Sequence, residues 1–159
     1  MHIRRIKDSD VKPVSLLMMR NFDEIMKKHH SEEIIEKFKT HNTVEKLTHQ
    51  MFWKDILVVE ENNEIVATGA VANFGDQQNP KYSISNFFVK PELHRQGIGK
   101  ALFDELKKIA VEKGAEFFHV PSSRNAVGFY SFVGFEVDEN QPDLEDEITW
   151  MSMKMGGRV

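Results

Sequence analysis

The chain has no cysteine among its 159 residues. That removes disulfide frameworks, thiolate-bound zinc, dithiol redox chemistry and any cysteine nucleophile. Long apolar runs are missing too: none approaches the ~18 residues of a membrane-spanning helix. Arg4, Arg5 and Lys7 near the N-terminus are followed by no apolar stretch of the kind a secretory signal carries. A soluble, cytoplasmic protein without membrane contact is therefore expected. Positive charge is also short, with 21 Lys and Arg against 25 Asp and Glu. The cationic surplus that grips nucleic-acid phosphates is absent, so no nucleic-acid partner is expected. His29, His30, His41 and His49 match no compact ligand spacing, and no metal site is expected.

What is present fits one domain over residues 1–159. An apolar content of 40% in a chain of this length supplies a real core. His2–Ile6 reads as a strand leading through Asp8-Ser9-Asp10 into a helix cap. Val14, Leu17, Met18, Phe22 and Ile25 recur at helical spacing, and Ser31 and Thr43 open further helical turns. Ile56–Val59 and Ile65–Val71 flank a polar turn as a hairpin, and Tyr82–Lys90 is a third strand. Gly97–Lys113 is an amphipathic helix closed by Gly114. A strand over 116–120, a short helix over 123–132 and two last strands complete the chain. The order β-α-α-β-β-β-α-β-α-β-β predicts a mixed α/β (α+β-like) domain. Its twisted sheet should be mostly antiparallel, with one late βαβ crossover.

The sharpest local pattern runs from Val89 through Pro91 and His94-Arg95-Gln96-Gly97-Ile98-Gly99-Lys100. A strand ends at the proline, and two glycines open a helix. The first N–H groups of a helix have no internal partner, glycine lets a ligand approach the backbone, and the dipole favours an anion. Together they form a cradle for pyrophosphate, to which Arg95 and Lys100 add charge. The third glycine and later acid of a dinucleotide site are missing, as is the Gly-Lys-[Ser/Thr] end of a triphosphate loop. A second pattern follows at Ser123-Arg124-Asn125-Ala126, with Tyr130 inside a short helix and Gly134-Phe135 after it.

Both segments, in this order and on these elements, resemble the GNAT superfamily of acetyl-CoA-dependent N-acetyltransferases. His94 stands where that family usually has Arg or Gln, and Ser123 where it often has Asn. The resemblance implies the GNAT fold and acetyl-CoA as acetyl donor. It implies that Phe87, Phe88 and Val89 offer main-chain groups to the pantetheine and acetyl carbonyl. His94, Arg95, Gln96, Gly97, Ile98, Gly99 and Lys100 would hold the pyrophosphate, and Ser123 would reach the pantetheine arm. Tyr130 would meet the thioester sulfur. The implied reaction is direct attack of a primary amine on the acetyl group in a ternary complex. A proton acceptor is then needed, for which His119 is the first candidate and Glu60 and Glu61 are weaker ones. Family members of this size are often homodimers. The competing reading is a non-catalytic acyl-CoA-binding or regulatory module on the same fold.

Charge bears on the acceptor. Glu136–Glu147 holds seven acids and no Lys or Arg, leaving 18 acids against 21 basic residues elsewhere, a balance of +3. Read as a loop beside the acceptor, this segment would attract a small cationic amine, or a lysine or N-terminal amine of a protein or peptide. Helices over Val14–Met51, with Phe22, Phe38, Phe52 and Trp53, would wall the acceptor site.

Overall fold

The computed structural model describes residues 1–143 and 146–156. Seven strands form one sheet: β1 (His2–Arg5), β2 (Asp55–Glu61), β3 (Glu64–Asn73), β4 (Tyr82–Val89), β5 (Phe117–Ser122), β6 (Glu136–Asp143) and β7 (Ile148–Lys154). Five α-helices accompany them: α1 (Val11–Glu24), α2 (Glu32–His41), α3 (Val44–Gln50), α4 (Ile98–Glu112) and α5 (Val127–Phe132). The sheet order is β1-β2-β3-β4-β5-β7-β6, antiparallel throughout except for β4 beside β5. The single parallel pair is the expected βαβ crossover, through α4. Three helices rather than two precede β2, because Thr43 caps α3 as a unit separate from α2, accepting from Lys46 N–H at 3.3 Å. Asp10 does not cap α1. It takes both guanidinium nitrogens of Arg4, at 2.7 and 3.1 Å, and pins β1 to the helix start.

Both faces of the central strands are covered, which explains the unbroken run Ile56–Val59. Ile56 and Val58 pack with Val14, Met18 and Phe22 of α1, while Leu57 and Val59 pack with Leu102 and Leu106 of α4. The β2–β3 hairpin turns on Asn62 and Asn63, both at positive φ, as a primed two-residue turn requires.

Two features of β4 open the sheet. Its one residue pair with β5 is Ser83 with His119. Further along, Asn86, at φ +53°, makes a bulge opposite Gly69. Gly69 must stay small, because a Cβ there would lie 2.9 Å from Leu106 Cδ1 and 3.0 Å from Phe87 Cδ2. From the bulge onward β4 diverges from β5, and the gap between them becomes a cavity.

Glu136–Asp143 forms an edge strand rather than a loop. Acids on an edge discourage pairing with another chain. Leu144 and Glu145 lie outside the described residues, as does the side chain of Asp143.

Candidate functional site

A cavity of about 950 Å³ fills the gap between β4 and β5. One end is built by the turn into α4. Gly97 stands before α4 at φ +85°, and the first helical bond runs from Ala101 N–H to Gly97 O at 3.1 Å. The amides of Ile98, Gly99 and Lys100 therefore have no partner within the helix. A Cβ built on Gly97 would meet nothing within 4 Å, so the space in front of this turn is open. Gly99 faces α5 instead: a Cβ there would lie 3.4 Å from Phe129, in ordinary van der Waals contact. These free amides, in a positive helix terminus facing open space, fit a pyrophosphate.

Of the residues expected at the donor site, Phe87, Phe88, Val89, His94, Arg95, Gly97, Gly99, Lys100 and Ser123 line the cavity. Gln96 and Ile98 do not. Ile98 turns its side chain into the core, so only its backbone is left for a ligand. His94 takes a contact of its own, its Nε2 on the Val89 carbonyl at 2.8 Å, which ties the loop to the end of β4. Lys100 is held by Asp104 at 2.6 and 2.8 Å. Lys90 N–H donates to Val66 O at 2.8 Å, toward β3. Backbone groups alternate in direction along a strand, so those of Phe88 share that side and those of Phe87 and Val89 face the gap.

Tyr130 sits midway on the wall. It is 4% exposed, ringed by Phe87, Phe129 and Phe135 at centroid distances of 6.0, 5.4 and 5.7 Å. Among the described residues its hydroxyl has no hydrogen-bond partner. Burial pushes its pKa above the ordinary tyrosine value, so the phenol stays protonated at any physiological pH.

His119 is not brought to this cavity. It lies on β5 opposite Ser83 and Ser152, beside Phe117. Its buried Nδ1 lacks a partner among the described residues, and desolvation lowers its pKa. Glu60 pairs with Arg4 at 3.5 Å, and neither it nor Glu61 reaches the cavity.

The other end of the cavity is built from side chains the sequence did not single out. Lys54, just before β2, donates to Ser85 Oγ at 2.9 Å and Asn86 Oδ1 at 3.0 Å. Asn86 Nδ2 donates to Gln50 Oε1 at 2.6 Å. Asn86 could be suspected only as a polar residue in an otherwise apolar strand end. Phe22 and Phe38 join this wall, whereas Phe52 and Trp53 lie outside it. Two carboxylates of the acidic segment are engaged elsewhere. Glu147 accepts from His30 Nδ1 at 3.1 Å and Ser31 N–H at 3.0 Å, and Asp146 pairs with Lys37. Among the described residues lining the cavity there is no Asp or Glu.

A helix-terminus cradle, a strand that splits from its neighbour and a buried tyrosine between them define an enzyme that works on an acyl-CoA thioester. The chain belongs to the GNAT acetyltransferases: residues 26–156 match the acetyltransferase (GNAT) domain. Acetyl-CoA is its acetyl donor. The PaiA N-acetyltransferase of Thermoplasma acidophilum, solved with coenzyme A, superposes with a TM-score of 0.82 at 22% identity, over 97% of this chain and 98% of that one. A ribosomal-protein-alanine N-acetyltransferase of Brucella melitensis gives 0.70 at 14% identity, over 98% and 100%. An aminoglycoside 6'-acetyltransferase type Ii gives 0.72 at 14%, over the whole of both chains. These likenesses establish the fold. No curated protein matches the chain in sequence.

Proposed function

We propose that the chain transfers an acetyl group from acetyl-CoA directly to a primary amine within a ternary complex, with Tyr130 as hydrogen-bond donor to the departing sulfur. The observation that carries this reading is Tyr130, a buried side chain on the wall of the cavity where β4 leaves β5, whose hydroxyl has no hydrogen-bond partner among the described residues. A module that only bound acyl-CoA would need no donor there.

When bound, acetyl-CoA supplies an activated thioester carbonyl. The amides of Ile98–Lys100 hold the pyrophosphate, and Arg95, at φ +65°, adds charge at the loop. The gap-facing backbone of Phe87 and the N–H of Val89, whose carbonyl is taken by His94, orient the pantetheine and acetyl carbonyl. Ser123 contributes from the opposite wall. A thiol has an ordinary pKa of ~8.5 and tyrosine ~10, and burial moves Tyr130 further up. Outright proton transfer to the thiolate is therefore uphill. A hydrogen bond that strengthens as charge develops on sulfur remains favourable and is worth about 10²-fold in rate. His119 stays a candidate proton acceptor through a relay rather than by contact, since it stands off the cavity.

The acceptor we infer is a primary amine on a small molecule or a peptide. Glu147 and Asp146 are paired within the chain, so a cationic acceptor draws no support from them.

Tyr130→Phe keeps the ring packing and removes only the hydroxyl. It should lower kcat about 10²-fold while coenzyme A affinity by calorimetry stays constant. Initial-rate lines for the two substrates should intersect. Unchanged turnover in Tyr130→Phe, or parallel ping-pong lines, would overturn the assignment.

A further inference from the structure

Lys54 is a cation in an unusual setting. Its ammonium is held by two neutral oxygens, Ser85 Oγ at 2.9 Å and Asn86 Oδ1 at 3.0 Å. It stands over the Trp53 ring, 4.9 Å from the centroid, and 5.7 Å from that of Phe74. Among the described residues no carboxylate pairs with it. An ammonium carries three donors, and the third N–H has no partner among the described residues.

Within the network the amide oxygens are already engaged: Asn86 Oδ1 accepts from Lys54 itself, and Gln50 Oε1 accepts from Asn86 Nδ2 at 2.6 Å. A partly desolvated charge without a counter-charge is costly, and the cost falls when a ligand brings one.

We propose that Lys54 binds the carboxylate of the acceptor, so that the enzyme acetylates amines bearing a carboxylate close to the amino group, as amino acids do. The inference rests on the acetyltransferase reading above and names the substrate class for the same cavity. Four considerations carry it. Among the described residues the cavity wall has no acids, which would repel this group and hold a polyamine. A single cation balances one negative charge, which matches a carboxylate better than a phosphate dianion. Asn86 and the gap-facing groups of Phe87 and Val89 follow one another along β4, at ~3.3 Å per residue. The anion site and the acetyl site are thus separated by roughly the span of a short amino acid. Finally, desolvation brings the Lys54 pKa down to about 8, which still leaves the group mostly charged at neutral pH.

The test is a thiol-release assay with acetyl-CoA and matched acceptors: free amino acids, the same amino acids as carboxamides, aminoalkylphosphonates, and polyamines. Wild type, Lys54→Met and Lys54→Arg are compared, with coenzyme A affinity measured on each. Wild type should use the carboxylates at least tenfold better in kcat/KM than the amides. Lys54→Met should erase that preference through KM, costing the carboxylates far more than the amides, and keep coenzyme A affinity. Lys54→Arg should retain part of it.

Preference for amides, polyamines or phosphonates would overturn the inference while leaving the acetyltransferase reading intact. So would a Lys54→Met defect in kcat shared equally by all acceptors, which marks a proton acceptor instead. Coenzyme A binding with no turnover of any amine would overturn the acetyltransferase reading and this inference with it.

Discussion

The two ends of the cavity are made of different material. The donor end is backbone: the amides of Ile98, Gly99 and Lys100, and the gap-facing groups of Phe87 and Val89. The acceptor end is side chains: Lys54, Ser85, Asn86 and Gln50 in a connected hydrogen-bond network. A backbone site demands glycines and a proline at fixed spacing and tolerates variation elsewhere. A side-chain site can be rebuilt by exchanging residues without disturbing the fold. On the proposed function, the donor end would hold a ligand common to the family, and the acceptor end would be where this chain is particular.

The largest break in that contrast comes from Gly97. At φ +85° a β-branched residue is strained, although the space around it is open. Gly97→Val should cost about 2 kcal/mol at this turn, read as a roughly 30-fold rise in coenzyme A Kd by calorimetry. The acceptor KM should not move. A parallel rise in acceptor KM would show that the two ends are not separate.

That separation also governs what could be read in advance. The glycine pair, Tyr130 and the crossover were legible because each imposes a local pattern on consecutive residues. Lys54 and Asn86 were not, because they meet only through the β4 bulge and are 32 positions apart. The acidic segment was legible only in part, for a related reason. Its composition was visible, but not that Glu136–Asp143 extends as an edge strand or that Glu147 closes onto His30. His119 was placed correctly on β5, yet no pattern in the chain says which face of that strand meets the cavity.

His30 joins the two ends. Its Nε2 accepts Arg124 N–H at 3.2 Å, which requires that nitrogen to be unprotonated, and Nδ1 faces Glu147. Arg124 is next to Ser123 on the donor side, while His30 precedes α2 on the acceptor side. Burial lowers the His30 pKa below its ordinary ~6.5. The folded state thus resists a proton that the unfolded state accepts, and stability is present above pH ~6.5 and lost as pH falls below it. The slope for this one group is at most about 1.4 kcal/mol per pH unit. Glu147, lowered chiefly by the Ser31 N–H, adds loss in the same direction at lower pH. Thermal melts between pH 7 and 5 should show Tm falling, and His30→Gln should flatten the upper part of that fall. Equal slopes in both proteins would assign the acid sensitivity elsewhere.

A smaller effect separates the side chain of Asn86 from its backbone. Asn86→Gly and Asn86→Ala both remove the contacts to Lys54 and Gln50. Only alanine also pays for the left-handed conformation, about 1 kcal/mol. Chemical denaturation should rank wild type above Gly and Gly above Ala. If Ala equals Gly, the bulge relaxes when its side chain is lost, and the acceptor end is less rigid than its network implies.

The smallest expected effect tests whether any side chain matters at the donor end. Lys100 lines the cavity but is clasped by Asp104 one helical turn away, both half-exposed. Such an exposed pair contributes 0–1 kcal/mol. If Lys100 also serves a phosphate in front of the Gly97 turn, as the proposed function has it, the pair and the ligand compete for its ammonium. Asp104→Asn frees Lys100 and removes a negative charge near the cradle. Coenzyme A should bind about two- to threefold tighter at low ionic strength, and the gain should vanish near ~1 M salt, where the screening length is about 3 Å. No change at low salt would mean that the backbone amides alone set the affinity, and the contrast between a backbone end and a side-chain end would then be complete.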